Sequence, residues 1–204
     1  MKTREIAVTS RGLGMHEALE MTETLAAESG LDQNQVLHLR LLAEELFGML
    51  KGIAGDVEAL YWMDIEGKSF EQHMKASVDM TVEMRDALLS AATSGKNEAA
   101  KSFMGRIRDM IGVRLLPSNE GPSELAQALM NAAWSTPGNN LSVNTSDVWS
   151  MQQYKSDVQS KREEGGEAKE AWDELEKSIV AKIADEVKIS IVGSTAEITV
   201  FKAF

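Results

Sequence analysis

The spacing of apolar positions changes several times along the chain. Residues Arg4 to Thr9 alternate, with Ile6 and Val8 on one face, which predicts a short strand. A helical period follows from about His16 to Ser29, where Gly30 ends it. Asp32 stands where a capping side chain is needed for a second helix over Gln33 to about Lys51, and Gly52 and Gly55 supply its stop signals. On a helical wheel Val36, Leu39, Leu42, Ala43, Leu46, Leu50 and Ile53 form a broad apolar face, while Leu37, Leu41, Glu44 and Gly48 form a narrower row. Period two returns over Ala59 to Glu66 and Ser69 to Val78, on either side of a Gly67-Lys68 turn, so a hairpin is expected with Phe70, Met74, Ala76, Val78 and Gln72 on one side.

From Met80 to Lys161 the pattern is helical, with segments at Thr81 to Ala92, Asn97 to Val113, Ser123 to Ala133 and Asp147 to about Lys161. Pro117, Pro122 and Pro137-Gly138 punctuate them. After Gly165-Gly166 one more helix carries Trp172, Leu175, Ile179 and Ile183. A closing hairpin is expected from Val187 to Val192 and Glu197 to Phe201. The chain has no internal repeat and no low-complexity segment.

Composition narrows the functional classes. The 204 residues carry 21 Lys and Arg against 32 Asp and Glu, a net charge of −11, which repels phosphate polymers and anionic lipid and argues against nucleic-acid and membrane partners. There is no cysteine, so thiolate nucleophiles and Cys-ligated metals are excluded. No window reaches the ~18 apolar residues of a spanning helix, and Met1 to Glu5 lead into no signal-peptide core, so a cytoplasmic protein is expected.

Candidate chemistry is sparse. Gly12-Leu13-Gly14 lies between a strand and a helix, but a third glycine is missing and Glu17 and Glu20 sit where a phosphate would lie, so a loop-and-cap role is expected. His16, His38 and His73 fall on separate elements without ligand spacing, and no metal site is expected. The methionines fit apolar patterns as core filling. Lys96, Lys101, Arg106, Arg108 and Arg114 make a locally basic stretch, read first as a solvated face and otherwise as a docking face for an acidic partner. Glu44 and Glu45 are adjacent on a helix and point about 100° apart, so they do not form an acid/base pair. Glu44 alone falls in the narrower row, where it reads either as a flank residue or as a general base.

Taken in order, the strand, the helix, Leu41-Leu42-Ala43-Glu44-Glu45-Leu46 on a second helix, the hairpin, and Ile179 to Val187 before a closing hairpin resemble the GHKL ATPase fold, and within it the bacterial anti-sigma-factor serine kinases. The resemblance implies an α+β fold of two layers, helices on a mixed β-sheet. It makes residues 1–79 and 167–204 the core of a single domain over 1–204, with residues 80–166 as a large helical insertion. It also implies that Glu44 is the residue that would activate water or a hydroxyl, and that the magnesium-ligating amide four residues later is replaced by Gly48. Asp79 would read adenine, and the phosphate-cradling glycines are replaced by Glu174 and Glu176.

These departures weigh against nucleotide. Two carboxylates at ~4 Å from a triphosphate each repel a unit charge by about 4 kcal/mol at an effective dielectric near 20. Together they offset most of the roughly 8 kcal/mol of a micromolar complex. The expectation is a degenerate, non-catalytic member that regulates by binding a protein partner, without a cofactor. Two alternatives stay open: an active kinase or ATPase using ATP and magnesium, and a binder of another small ligand in the altered cleft. A homodimer also fits this reading.

Overall fold

A two-residue turn sets the middle of the molecule. In the computed structural model, which describes residues 1–51, 57–77, 148–161, 167–192 and 194–204, Gly67-Lys68 joins β2 (Glu58–Glu66) to β3 (Ser69–Ser77). The pairing puts Glu66 opposite Ser69, Asp64 opposite Glu71 and Trp62 opposite His73. β1 (Ile6–Thr9) adds to the outer side of β2. On the other side of β3 lie β6 (Thr195–Ala203), β5 (Glu186–Val192) and β4 (Trp149–Ser150), giving the order β1-β2-β3-β6-β5-β4.

Every pairing among these strands is antiparallel, which corrects the mixed sheet expected from the sequence. The reason lies in the connections. β1 and β2 are joined through two helices, α1 (Met15–Glu28) and α2 (Gln33–Lys51), so the chain reverses three times and returns antiparallel, where the two reversals of a one-helix crossover would make it parallel. The pairs β2-β3 and β5-β6 are hairpins.

Helix boundaries follow local chemistry. Gly30, at φ 74°, closes α1: its N–H bonds the Ala27 carbonyl at 3.0 Å, and the Leu31 N–H bonds that of Ala26 at 3.3 Å, a Schellman arrangement with both Leu31 and Ala26 buried. Asp32 caps α2 as expected, its Oδ1 accepting from the N–H groups of Asn34 and Gln35 at 2.9 Å, while the Gln35 side chain accepts from the Asp32 N–H.

Three further helices complete the described part: α3 (Met151–Lys161), α4 (Glu167–Lys177) and α5 (Ile179–Ile183). The helix expected from Asp147 therefore begins at Met151, after β4. The single run expected through Trp172 to Ile183 divides at Ser178, whose hydroxyl accepts from the Ala181 N–H and caps α5. Trp149, Met151, Tyr154 and Val158 enter the same buried cluster as Val180 and Val187, so this end of the stretch set aside as an insertion contributes a strand and a helix to the core. The helices expected at 81–92, 97–113 and 123–133, with their basic residues, lie outside the described residues. Among the described residues no helix is long and apolar enough to cross a membrane.

The helices pack on one face of the sheet. Leu39, Leu42, Ala43, Leu46 and Leu50 of α2 are fully buried, as their spacing predicts, against Tyr61, Met63, Phe70 and Ile198 of the strands. Phe47 meets the Tyr61 ring edge-on at 5.1 Å. The Tyr61 hydroxyl reaches Thr22 of α1 at 2.8 Å, and Thr22 in turn donates to the Ala18 carbonyl. Burial pushes the Tyr61 phenol well above its ordinary range, with the Thr22 bond pulling the other way. Gln72, like Thr22, is a fully buried polar residue: its Nε2 donates to the Leu39 carbonyl at 2.9 Å.

Where β1 hands over to α1, Gly14 sits at φ 75° against the strand, and a Cβ there would lie 1.9 Å from the Ala7 carbonyl oxygen. The glycine is thus required by backbone contact. Gly12, at φ 97°, faces open space. Gly12→Ala should cost roughly 1–2 kcal/mol for the left-handed backbone alone, whereas Gly14→Ala must in addition separate β1 from α1. Denaturant titration of the two variants should place Gly14→Ala clearly lower in stability, and equal losses would contradict this packing.

Candidate functional site

The positions singled out by the family resemblance divide between two helices. On α2 the row Leu37, Leu41, Glu44 and Gly48 turns away from the sheet; Leu37, Glu44 and Gly48 are exposed. The Glu44 side chain is 41% exposed and its Oε1 accepts from the Arg40 Nε at 2.9 Å, while Arg40 reaches across to Glu23 of α1 at 2.7 Å. Hydrogen bonds donated to Glu23, and then to Glu44, raise the pKa of the Arg40 guanidinium above its ordinary value. Glu44 is therefore a partly exposed carboxylate paired with a neighbour on its own helix. Gly48 lies one turn further on, with nothing within 4 Å of a Cβ built there.

The buried role falls to the neighbour. Glu45 is half-buried beside Leu42 and Leu46, and burial, then the Glu44 charge, raise its carboxyl above the usual range. A rotation of one residue along the helix separates the two readings.

Glu174 and Glu176 lie in the last turns of α4. Glu174 stands 4.0 Å from Lys177, and Glu176 accepts from the Trp172 indole N–H at 2.7 Å. The Glu174 carbonyl accepts from the Ser178 N–H, so the backbone here is committed to the helix. Asp79 lies outside the described residues. The Asp185-Glu186 pair that follows α5 is structural. Although burial opposes it, the Ala203 N–H and Lys202 hold Asp185 below its ordinary value. Glu186 accepts from the Ser150 hydroxyl and from the Gln152 N–H at the start of α3.

A second set of residues gathers on the opposite side of the sheet, which carries no helix among the described residues. The His73 ring, with its side chain 12% exposed, stacks on Trp62 at 4.8 Å with an interplanar angle of 1°. Its Nε2 faces Asp64 at 3.4 Å and Glu71 at 3.6 Å, and its Nδ1 faces Glu197 at 3.5 Å and the Thr199 hydroxyl at 3.2 Å. Nε2 is buried and makes no hydrogen bond of good geometry. Lys2 lies over the other face of Trp62 at 4.8 Å. From the sequence alone His73 reads as an ordinary packed or surface histidine. Counting outward from the Gly67-Lys68 turn already places Asp64 opposite Glu71 and Trp62 opposite His73, whereas Glu197 and Thr199 arrive only through the long-range β3-β6 pairing.

Beside this cluster a cavity of about 380 Å³ is lined by Glu71, His73, Glu186, Lys188, Thr199 and Phe201. A groove of about 520 Å³ runs between residues 1–4 and α1. Glu44, Gly48, Glu174 and Glu176 line neither. Among the described residues no group of three or more His, Asp or Glu side chains is arranged to hold a metal ion. No family model, no curated protein and no solved structure matches the chain.

The Glu45 environment has a pH signature. Its folded pKa lies above the unfolded value of about 4.3, so the stability associated with the neutral carboxyl is full below that value and is lost as pH rises through the folded pKa. Glu45→Gln removes the loss. Melting temperatures from about pH 4 to pH 7 should show the variant gaining on the parent protein as pH rises; a constant or shrinking difference would contradict the assignment.

Proposed function

We propose that the chain is a non-catalytic binding module, built on a GHKL-like order of elements, that acts in regulation through contact with a protein partner and without nucleotide. The observation that carries this reading is the ion-pair chain Glu23-Arg40-Glu44. A general base must present its carboxylate to the proton it removes. The Glu44 oxygen is instead engaged by a guanidinium from its own helix, itself tied to α1.

Two further features point the same way. Phosphate binding at a helix start needs unengaged N–H groups, and the stretch aligned with the family's glycine cradle is the end of α4, where Glu174 and Glu176 bring two negative charges. The net charge of −11 adds a general field against a triphosphate. A protein surface without that requirement suits an acidic chain, because complementary charge on a partner speeds association and sets specificity.

The test is thermal unfolding with and without magnesium and ATP. A ligand at a hundred times its Kd stabilises by about 2.7 kcal/mol, so millimolar nucleotide bound with even modest affinity would raise the melting temperature visibly. No change is expected. A saturable rise that Glu44→Gln leaves intact, accompanied by phosphate release that Glu44→Gln abolishes, would establish the catalytic reading in place of this one.

A further inference from the structure

The cavity on the side of the sheet that carries no helix among the described residues is built by register. β3, β6 and β5 are adjacent, and their pairing sets Glu71, Phe201 and Glu186 in one line across the strands, with His73, Thr199 and Lys188 in the next line on the same face. The first line places an aromatic side chain between two carboxylates. Among the described residues neither carboxylate is within 4.0 Å of a Lys or Arg nitrogen: Glu71 faces the His73 ring at 3.6 Å, and Glu186, which the Lys155 ammonium feels from the α3 side, is positioned by the Ser150 hydroxyl and backbone N–H groups. Glu197 and Asp64 stand just beyond, against His73.

We propose that this cavity receives the guanidinium of an arginine presented by a partner protein, the cation resting against Phe201 between Glu71 and Glu186. The proposal rests on the reading of the chain as a binding module and names the chemistry its partner offers. Complementarity of charge selects the occupant. A planar cation gains from an aromatic face and from a carboxylate on either side, and the chain as a whole, at −11, attracts a basic segment. The volume of about 380 Å³ accommodates one side chain and its backbone rather than a folded element. Lys188, exposed at the far corner of the second line, opposes the incoming charge. It limits the affinity of the present sequence.

The experiment is calorimetric or NMR titration of the full chain at low salt with a short oligo-arginine peptide, acetylated and amidated. A citrulline peptide of equal length serves as the neutral control. The arginine peptide should bind and the citrulline peptide should not. Phe201→Leu keeps an apolar side chain and removes the ring, and should weaken binding about two- to fivefold, as expected of a cation–π contact at an exposed site. Glu71→Gln should weaken it to a similar degree. Lys188→Glu should tighten it, a gain that damage to the fold would not produce. Glu28→Gln, on exposed α1 across the sheet, removes the same charge from elsewhere and should leave binding unchanged. Absence of arginine-peptide binding, a loss in Glu28→Gln equal to that in Glu71→Gln, or indifference to Phe201→Leu and Lys188→Glu would each overturn the assignment. The magnesium-ATP melting experiment is independent of all these outcomes, so the module reading and the arginine pocket stand or fall separately.

Discussion

An antiparallel sheet with all its described helices on one side buries that face beneath them, and this molecule depends on the seam that keeps it shut. That seam is the α2 stripe of Leu39, Leu42, Leu46 and Leu50 lying on Tyr61, Met63, Phe70 and Ile198. Fully burying each leucine contributes about 1.5–3 kcal/mol. The stripe leaves α2 no freedom to rotate, because turning it by one residue would bring Glu45 inward and expose a leucine. α1 is held to the same layer by the contact of Gly14 on Ala7 and by the Tyr61-Thr22 bond. The rotation of α2 thereby sets the direction of every polar residue it carries.

That constraint explains what became of the two adjacent glutamates. Most of the buried face of α2 is readable from the sequence, as are the Asp32 cap, the Gly30 stop and the turn at Gly67-Lys68, because each is a local arrangement; Phe47 and Met49, buried beside that face, are not, and Ile53 lies outside the described residues. The narrower row was also correctly grouped, but its environment depends on what lies above it. The wheel placed Glu44 among Leu37 and Leu41; the fold leaves that row turned to solvent and pairs Glu44 with Arg40, one turn back on the same helix. The signal was present as an i, i+4 Arg-Glu pair, yet only the fold gives Arg40 its second partner, Glu23.

Non-local pairings were the part least legible. The mixed sheet was expected from the family resemblance, whereas two helices between β1 and β2 and hairpins at β2-β3 and β5-β6 make the strands alternate in direction. β4 has only two residues, Trp149 and Ser150, too few for alternation to reveal. The His73 cluster needed both kinds of information. Its β2 and β3 members follow from the turn, and Glu197, Thr199 and Phe201 join them through pairing across a long sequence separation. The two candidate regions consequently lie on opposite sides of the sheet: the family-like row on the helical layer, partnered by its own neighbours, and the aromatic and acidic patch on the face those helices leave uncovered.

The central claim is that binding takes place on that uncovered face and not at the α2 row. An amide chemical-shift map of the full chain tests it most directly, recorded with magnesium-ATP and, separately, with the oligo-arginine peptide. The account predicts that the Glu44 to Gly48 amides do not move with nucleotide, and that the peptide shifts β3, β5 and β6 around Glu71, Lys188 and Phe201. Saturable nucleotide shifts centred on Glu44 and Gly48 would contradict it.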